Sequence, residues 1–280
     1  RTCLLILTFL ATLTLSGCKD FLVASNVRYD NKSYLFNTMD VYMPKGPLKP
    51  NRPAIIAIHG GFWRMGDKSW GSGIADEFCP EGYVVFGVNY RLSSYAGNTW
   101  PAQIDDVQTA LRFIRKNAAT FGVDPKRVSA MGMSAGGHLA TMLALRDDPH
   151  GPEGRVSVAV NMNGMHDLTQ AGDQVMMDYP VGMQMVLGHP APWSHAELAD
   201  ISTPTFVRKD VAVFNVHGAG DHYVYVRNGD IIHAALQAAG AESEYHRIEG
   251  EAGFCHEKCW MEPTVRTALH RFLAKHLRPE

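Results

Sequence analysis

Apolar residues gather along this chain in two kinds of run, and each kind predicts an element. The first is short and unbroken: AIIAI at 54–58, YVVFGVNY at 83–90, VSAMGM at 128–133, VSVAVNMN at 156–163 and VAVFNVHG at 211–218. Strands read this way when both faces are covered, because no position has to suit water. The second kind repeats every three to four positions. Between Pro101 and Asn117, the residues Ile104, Val107, Leu111 and Ile114 fall on one stripe, as in a helix that buries one face. Pro101 suits a first turn. Asp105 and Asp106 sit early and Arg115 and Lys116 late, each with the sign that complements the helix dipole.

Further helices are predicted over 69–81, 134–145, 227–239 and 262–277, with an early strand ending at Pro44 and a last one over 243–250. FGVDPKR, 121–127, is a turn by its Gly, Pro and charged residues. Strands alternating with helices imply an α/β fold, a mostly parallel sheet with helices on both faces. The main domain is expected over 35–280, after a tether and first strand region at 18–34. Residues 165–205 break the pattern. They are rich in Met and Pro without a clear period, and are read as a cap or a long connection.

With 280 residues, 46% of them hydrophobic, the chain can bury a single-domain core. Its 26 basic and 28 acidic residues leave a net charge of −2 with no long run of either sign, which excludes a nucleic-acid footprint. The thirteen histidines are dispersed, so composition asks for no metal. At the N-terminus, CLLILTFLATLTL (3–15) is too short for a comfortable membrane span and has the character of an export signal over 1–17. LSGC follows, ending at Cys18, and resembles the lipobox of bacterial lipoproteins. That resemblance implies a lipid on Cys18 anchoring an exported protein to a membrane, on the periplasmic side or at the cell surface. An ordinary secretory signal with a chance cysteine is the alternative. Outside the cytoplasm Cys79, Cys255 and Cys259 could include a disulfide.

Chemistry enters with Gly132-Met133-Ser134-Ala135-Gly136, between a predicted strand and a predicted helix. G-x-S-x-G in that setting is a nucleophile elbow, a turn too tight for side chains that exposes the serine hydroxyl. The helix N-terminus behind it offers backbone N–H groups to a developing oxyanion. His59-Gly60-Gly61-Phe62-Trp63 follows the strand 54–58 and resembles the HGG loop of esterases. Gly61 and Phe62, with Ala135, are the expected oxyanion donors, although GGF stands here where lipases carry GGG.

An elbow serine needs a base, and the base an orienting acid, in the order Ser, Asp or Glu, His. Asp221 lies just after the strand 211–216, in the loop HGAGD, whereas Asp147, Asp148, Asp173 and Asp230 lack that position. Among downstream histidines, His233, His270 and His276 fall in helices and His246 in a strand. Only His256 sits in a loop beyond the last strand. It lies inside Cys255-His256-x-x-Cys259, a spacing that by itself admits a metal clip, a redox pair or a loop presenting the imidazole. Ser134 gives His256 a partner, while no third and fourth metal ligand is grouped nearby. The two cysteines are read as bracing the loop, bridged or not. Phe62, Trp63, Trp70, Tyr90, Tyr95 and Trp100 are candidates for an acyl or aryl pocket, with core packing as the alternative. Arg91 is read as a structural ion-pair partner.

With these residues in view, the run VYMPKG…IIAIHGGFW…GDKS…GYVVFGVNYRLS…PAQIDDVQTALRFIRKNAATFGVDPKRVSAMGMSAGGHLA, with VHGAGDHYV as its acid loop, resembles the bacterial feruloyl-esterase-type branch of the α/β-hydrolases, near the hormone-sensitive-lipase-like esterases. The similarity covers about residues 35–275. It implies the α/β-hydrolase fold and a cofactor-free serine esterase with Ser134, His256 and Asp221 as its triad. The implied substrates are short acyl or hydroxycinnamoyl esters, small or linked to plant cell-wall carbohydrate. The cysteines around His256 depart from the usual glycine-flanked pattern. Two rivals stand beside this reading: an arylformamidase-like amidase, whose relatives carry an HGG-x-W loop, and a non-catalytic hydrolase fold used for binding.

Overall fold

The computed structural model describes residues 12–14, 21–33, 35–47, 49–94, 97–173 and 179–277, so Cys18 and Tyr95 lie outside the described residues. Its strands are β1 (Thr12–Thr14), β2 (Phe21–Arg28), β3 (Thr38–Pro44), β4 (Arg52–Ile58), β5 (Val84–Val88), β6 (Val123–Met133), β7 (Val158–Met162), β8 (Ala212–Gly218) and β9 (Glu242–Ile248). They form one sheet in the order β1-β2-β3-β5-β4-β6-β7-β8-β9. Pairing is antiparallel from β1 to β5 and parallel from β5 to β9. The strand order reverses at β4, which lies between β5 and β6. Ligands of open α/β sheets bind outside the carboxyl ends of strands at such a reversal.

The α-helices of six residues or more are α1 (Gly71–Phe78), α2 (Ala102–Lys116), α3 (Ala135–Leu145), α4 (Tyr179–Leu187), α5 (His195–Asp200), α6 (Arg227–Ala238) and α7 (Pro263–Leu277). They divide the core in two. On one face Ile104, Leu111, Leu139, Leu143 and Ile232 from α2, α3 and α6 join Ile56, Ile58 and Phe86 of the sheet. On the other, Ile74 and Phe78 of α1 and Leu269 and Phe272 of α7 join Ile55, Val85 and Phe214. Successive strand residues point to opposite faces, so a sheet covered on both sides turns each central strand into a near-continuous apolar run. The expected stripe of α2, Ile104, Val107, Leu111 and Ile114, is fully buried.

Two stretches differ from the sequence reading. The turn over 121–127 is continuous with its strand: Val123 pairs with Arg52 and Val128 with Ala54, so residues 124–127 bulge opposite Pro53. Pro53 has no N–H to contribute to a ladder, and Asp124 closes the bulge by accepting the Lys126 N–H at 2.9 Å. Residues 165–205 contain a 3₁₀ turn, Leu168–Asp173, then α4 and α5. Val186 accepts the Trp100 N–H at 2.7 Å, Asp200 accepts the Trp100 indole N–H at 2.8 Å, and α4 passes so close to the Phe62 ring that Gly182 has no room for a side chain. This connection is therefore a helical layer packed beside the His59–Trp63 loop. Among the described residues no helix is long and apolar enough to cross a membrane.

Candidate active site

Ser134 is the single residue between β6 and α3, held at φ 56°, ψ −122°. A serine is strained there, and the surroundings leave it no alternative. A Cβ on Gly132 would lie 2.1 Å from the Gly136 carbonyl oxygen, and one on Gly136 would lie 2.0 Å from that of Ile58. The Ser134 N–H donates to the Met162 carbonyl at 2.8 Å, which ties the elbow to the end of β7.

The loop after β4 is built around His59. Its ring stacks on Tyr90 at 4.4 Å, the Tyr90 hydroxyl donates to the His59 carbonyl at 3.0 Å, and Nδ1–H donates to the Gly60 carbonyl at 2.8 Å. Burial lowers the His59 pKa, so this ring is a neutral structural member. Beyond it Gly61, Phe62 and Trp63 all have positive φ, at 105°, 53° and 56°. The Arg64 and Met65 N–H groups both fold back on the Gly61 carbonyl at 3.0 Å. Among the described residues the N–H groups of Gly61, Phe62 and Ala135 find no acceptor within the chain. Three unused donors thus flank Ser134.

Asp221 follows β8 and is 5% exposed. Its Oδ1 accepts the backbone N–H groups of Tyr223 (2.8 Å) and Val224 (3.1 Å), and its Oδ2 accepts His256 Nδ1–H and Asn163 Nδ2, each at 2.6 Å. Burial alone would push the carboxyl up; the hydrogen bonds, foremost that of His256, outweigh it and hold Asp221 below the usual carboxylate range. The group is ionised at neutral pH. With Nδ1–H committed to Asp221, the lone pair of His256 is on Nε2. Ser134 and His256 open onto one cavity of about 660 Å³, together with Gly61 and Phe62. No hydrogen bond joins the serine to the imidazole among the described contacts.

Cys255 and Cys259 form a disulfide with their Cα atoms 5.3 Å apart. Both sulfurs are thereby used, which leaves no thiolate for a metal clip and makes the motif a covalent ring around His256. The other downstream histidines are engaged elsewhere: His233 with Ser243, His246 with Glu244, His270 with Glu77 and Glu81, His276 with Glu242. Arg91 makes a bidentate pair with fully buried Asp106, as a structural partner would.

Of the candidate pocket aromatics, Phe62 reaches the cavity, whereas Trp63 and Tyr90 are fully buried and Trp100 packs on His138. The cavity wall instead includes Met65, Tyr223 and Phe254, with exposures of 60%, 63% and 66%. Sequence reasoning missed these and Asn163. Tyr223 lies two residues from Asp221 and Phe254 two residues from His256, the one signal that points to them.

Against protein-family models, residues 39–236 match the one described as BD-FAE. The chain belongs to the BD-FAE family. The matched stretch contains Ser134 and Asp221 and stops short of His256, so for a BD-FAE member the histidine loop rests on geometry. Similar curated proteins include the probable carboxylic ester hydrolase LipM of Mycobacterium tuberculosis, 32% identical over 68% of this chain and 46% of its own length. Esterase LipQ of the same organism is 30% identical over 83% of this chain and 56% of its own. This chain thus spans about half the length of those relatives. Among solved structures, a truncated carbohydrate esterase from gut microbiota superposes with a TM-score of 0.81 at 24% identity, covering 94% of this chain and 99% of that one. The fold is that of the α/β-hydrolase esterases.

Proposed function

We propose that this BD-FAE member is a serine carboxylic-ester hydrolase. The observation that carries it is the 2.6 Å bond from His256 Nδ1–H to an ionised, buried Asp221, in a site where Ser134 and His256 share one cavity. His256 Nε2 takes the Ser134 proton as Oγ attacks the ester carbonyl. The N–H groups of Gly61, Phe62 and Ala135 receive the oxyanion, each such donor being worth about 3 kcal/mol in the transition state. Asp221 holds the tautomer and stabilises the imidazolium, which returns its proton to the leaving alcohol. Water, deprotonated by His256, then releases the acid from Ser134.

The substrates proposed are short acyl or hydroxycinnamoyl esters, including those on plant cell-wall carbohydrate. The names of the relatives, an ester hydrolase and a carbohydrate esterase, support the class. The exposed aromatic rim of Tyr223 and Phe254, beside Glu257 and Lys258, supports a bulky, partly polar alcohol. We propose further that the protein is exported and anchored through Cys18. The Cys255–Cys259 bridge supports an oxidising compartment.

The test is release of p-nitrophenol from its acetate, followed by methyl ferulate, acetylated xylan and N-formylkynurenine. Ser134→Ala is expected to lower kcat by roughly 10³-fold or more. Turnover of that variant at the wild-type rate would remove the assignment, and preference for the formamide would move the substrate class.

A further inference from the structure

Asn163 is fully buried at the carboxyl end of β7, with φ 51°. Its N–H donates to the Val216 carbonyl of β8 at 2.9 Å. Its side-chain Nδ2 donates to Asp221 Oδ2 at 2.6 Å and to the Cys255 carbonyl at 3.3 Å. Both partners are acceptors only, so the amide nitrogen must be the atom that faces them. Oδ1 has no hydrogen-bond partner in the structure. A buried acceptor left unpaired is unfavourable for stability, so what this side chain contributes lies in its donor.

We infer that Asn163 is a positioning residue, a clamp that fixes the acid to the loop carrying the base; the inference rests on the triad proposed above. One NH₂ group spans the two segments that must stay in register, the carboxylate of Asp221 and the backbone immediately before His256. It also shares Oδ2 with His256 and so tempers how strongly that oxygen attracts the imidazolium proton. Asn163 touches no substrate and acts through its two partners.

The test compares wild type, Asn163→Gly and Asn163→Asp as full chains, using p-nitrophenyl acetate from about pH 5 to 9 with thermal unfolding in parallel. Glycine tolerates the positive φ and removes the whole side chain, so the parallel unfolding measurement reads the packing it takes away. Aspartate keeps the shape and the left-handed backbone but turns the donor into an acceptor. Loss of one hydrogen bond to a charged group predicts a fall in kcat of about 10- to 100-fold in each variant, with KM nearly unchanged. In Asn163→Asp the second carboxylate favours the imidazolium, and the acid limb of kcat/KM moves to higher pH by about one unit.

The other groups around the pair are His217, with Nε2 3.8 Å from Asp221 Oδ2, Tyr223, whose ring lies 5.2 Å from that of His256, and Glu257 and Lys258 on the cavity wall. All are common to the three proteins, so the shift is read against one background. A lower kcat with an unmoved acid limb in Asn163→Asp would reduce the residue to packing and overturn the clamp. Wild-type kinetics in both variants would overturn it as well. Ser134→Ala in the same assay separates the two readings: activity that survives it removes the triad and the clamp together. Activity lost with Ser134 but indifferent to Asn163 removes the clamp alone.

Discussion

Replacing Cys255 and Cys259 together by serine opens the ring around His256 without altering the imidazole. The bridge has a sequence separation of four, and loop-closure entropy for so short a ring comes to about 7 cal/mol/K, or about 2 kcal/mol at 25 °C. If all of this acts on the loop, the ratio of ordered to disordered loop falls by about 30-fold. The double variant is therefore expected to lose up to about 2 kcal/mol in urea unfolding and up to about 30-fold in kcat/KM, because the loop carries His256 and also the cavity-wall residues Phe254, Glu257 and Lys258. Dithiothreitol on the wild type reproduces both effects and leaves the variant unaffected. The other cysteine among the described residues, Cys79, is a buried free thiol and offers dithiothreitol nothing to reduce, so the reagent acts at the bridge. A double variant with wild-type kcat/KM and stability would mean that the hydrogen bonds to Asp221 and Asn163 hold the loop unaided.

Two further outcomes are expected. His138 is fully buried between Trp63 and Trp100, and burial lowers its pKa to about 4. The native state then binds fewer protons than the unfolded chain below about pH 6.5, so stability is complete above that value and falls as the pH drops toward 4. The share of His138 is about 2 kcal/mol by pH 5. His138→Gln should flatten the stability curve between pH 6.5 and 5 by that amount, and parallel curves would refute the assignment. Gly136→Ala places a methyl 2.0 Å from the Ile58 carbonyl oxygen, a backbone clash that should cost about 3 kcal/mol and lower Tm by roughly 6 to 12 °C. A melt within two degrees of wild type would show that the elbow can relax.

What the sequence revealed, and what it hid, follows from the range of the interactions. The central strands were legible because full burial on both faces leaves few polar positions, Ser129, Asn161, Asn215 and His217 among them, and α2 because its stripe is regular. Ser134 could be read from the local glycines, Asp221 and His256 from their places after strands. β2 was harder: the register shift between Ala24 and Val27, with Asn26 at φ 59°, breaks its period of two. α4 carries apolar residues without a stripe, and α5 has six residues, so neither offered a helical period. Asn163 was invisible for a different reason. An asparagine at a strand end is ordinary, and its role exists only because β7 lies beside β8 and β8 beside β9.

The sheet also explains why the His256 loop needs ties that Ser134 does not. The loops after β4, β6 and β8 leave strands flanked on both sides, and Ser134 is further fixed by a turn with no room to change. β9 is the outer strand, pairs with β8 alone, and is mostly half-exposed along its length. A loop leaving such an edge has less to rest on, and His256 must still reach a carboxylate delivered by the next strand inward. Its support comes from lateral ties: the Ala219 N–H to the Ile248 carbonyl at 2.8 Å, the Gly220 N–H to that of Gly253 at 3.0 Å, the Asn163 clamp and the disulfide. Damage near Ser134 should therefore appear first as lost stability, because the elbow is part of the core. Damage to the ties of His256 should appear first as lost turnover, because the core beneath them is complete without that loop.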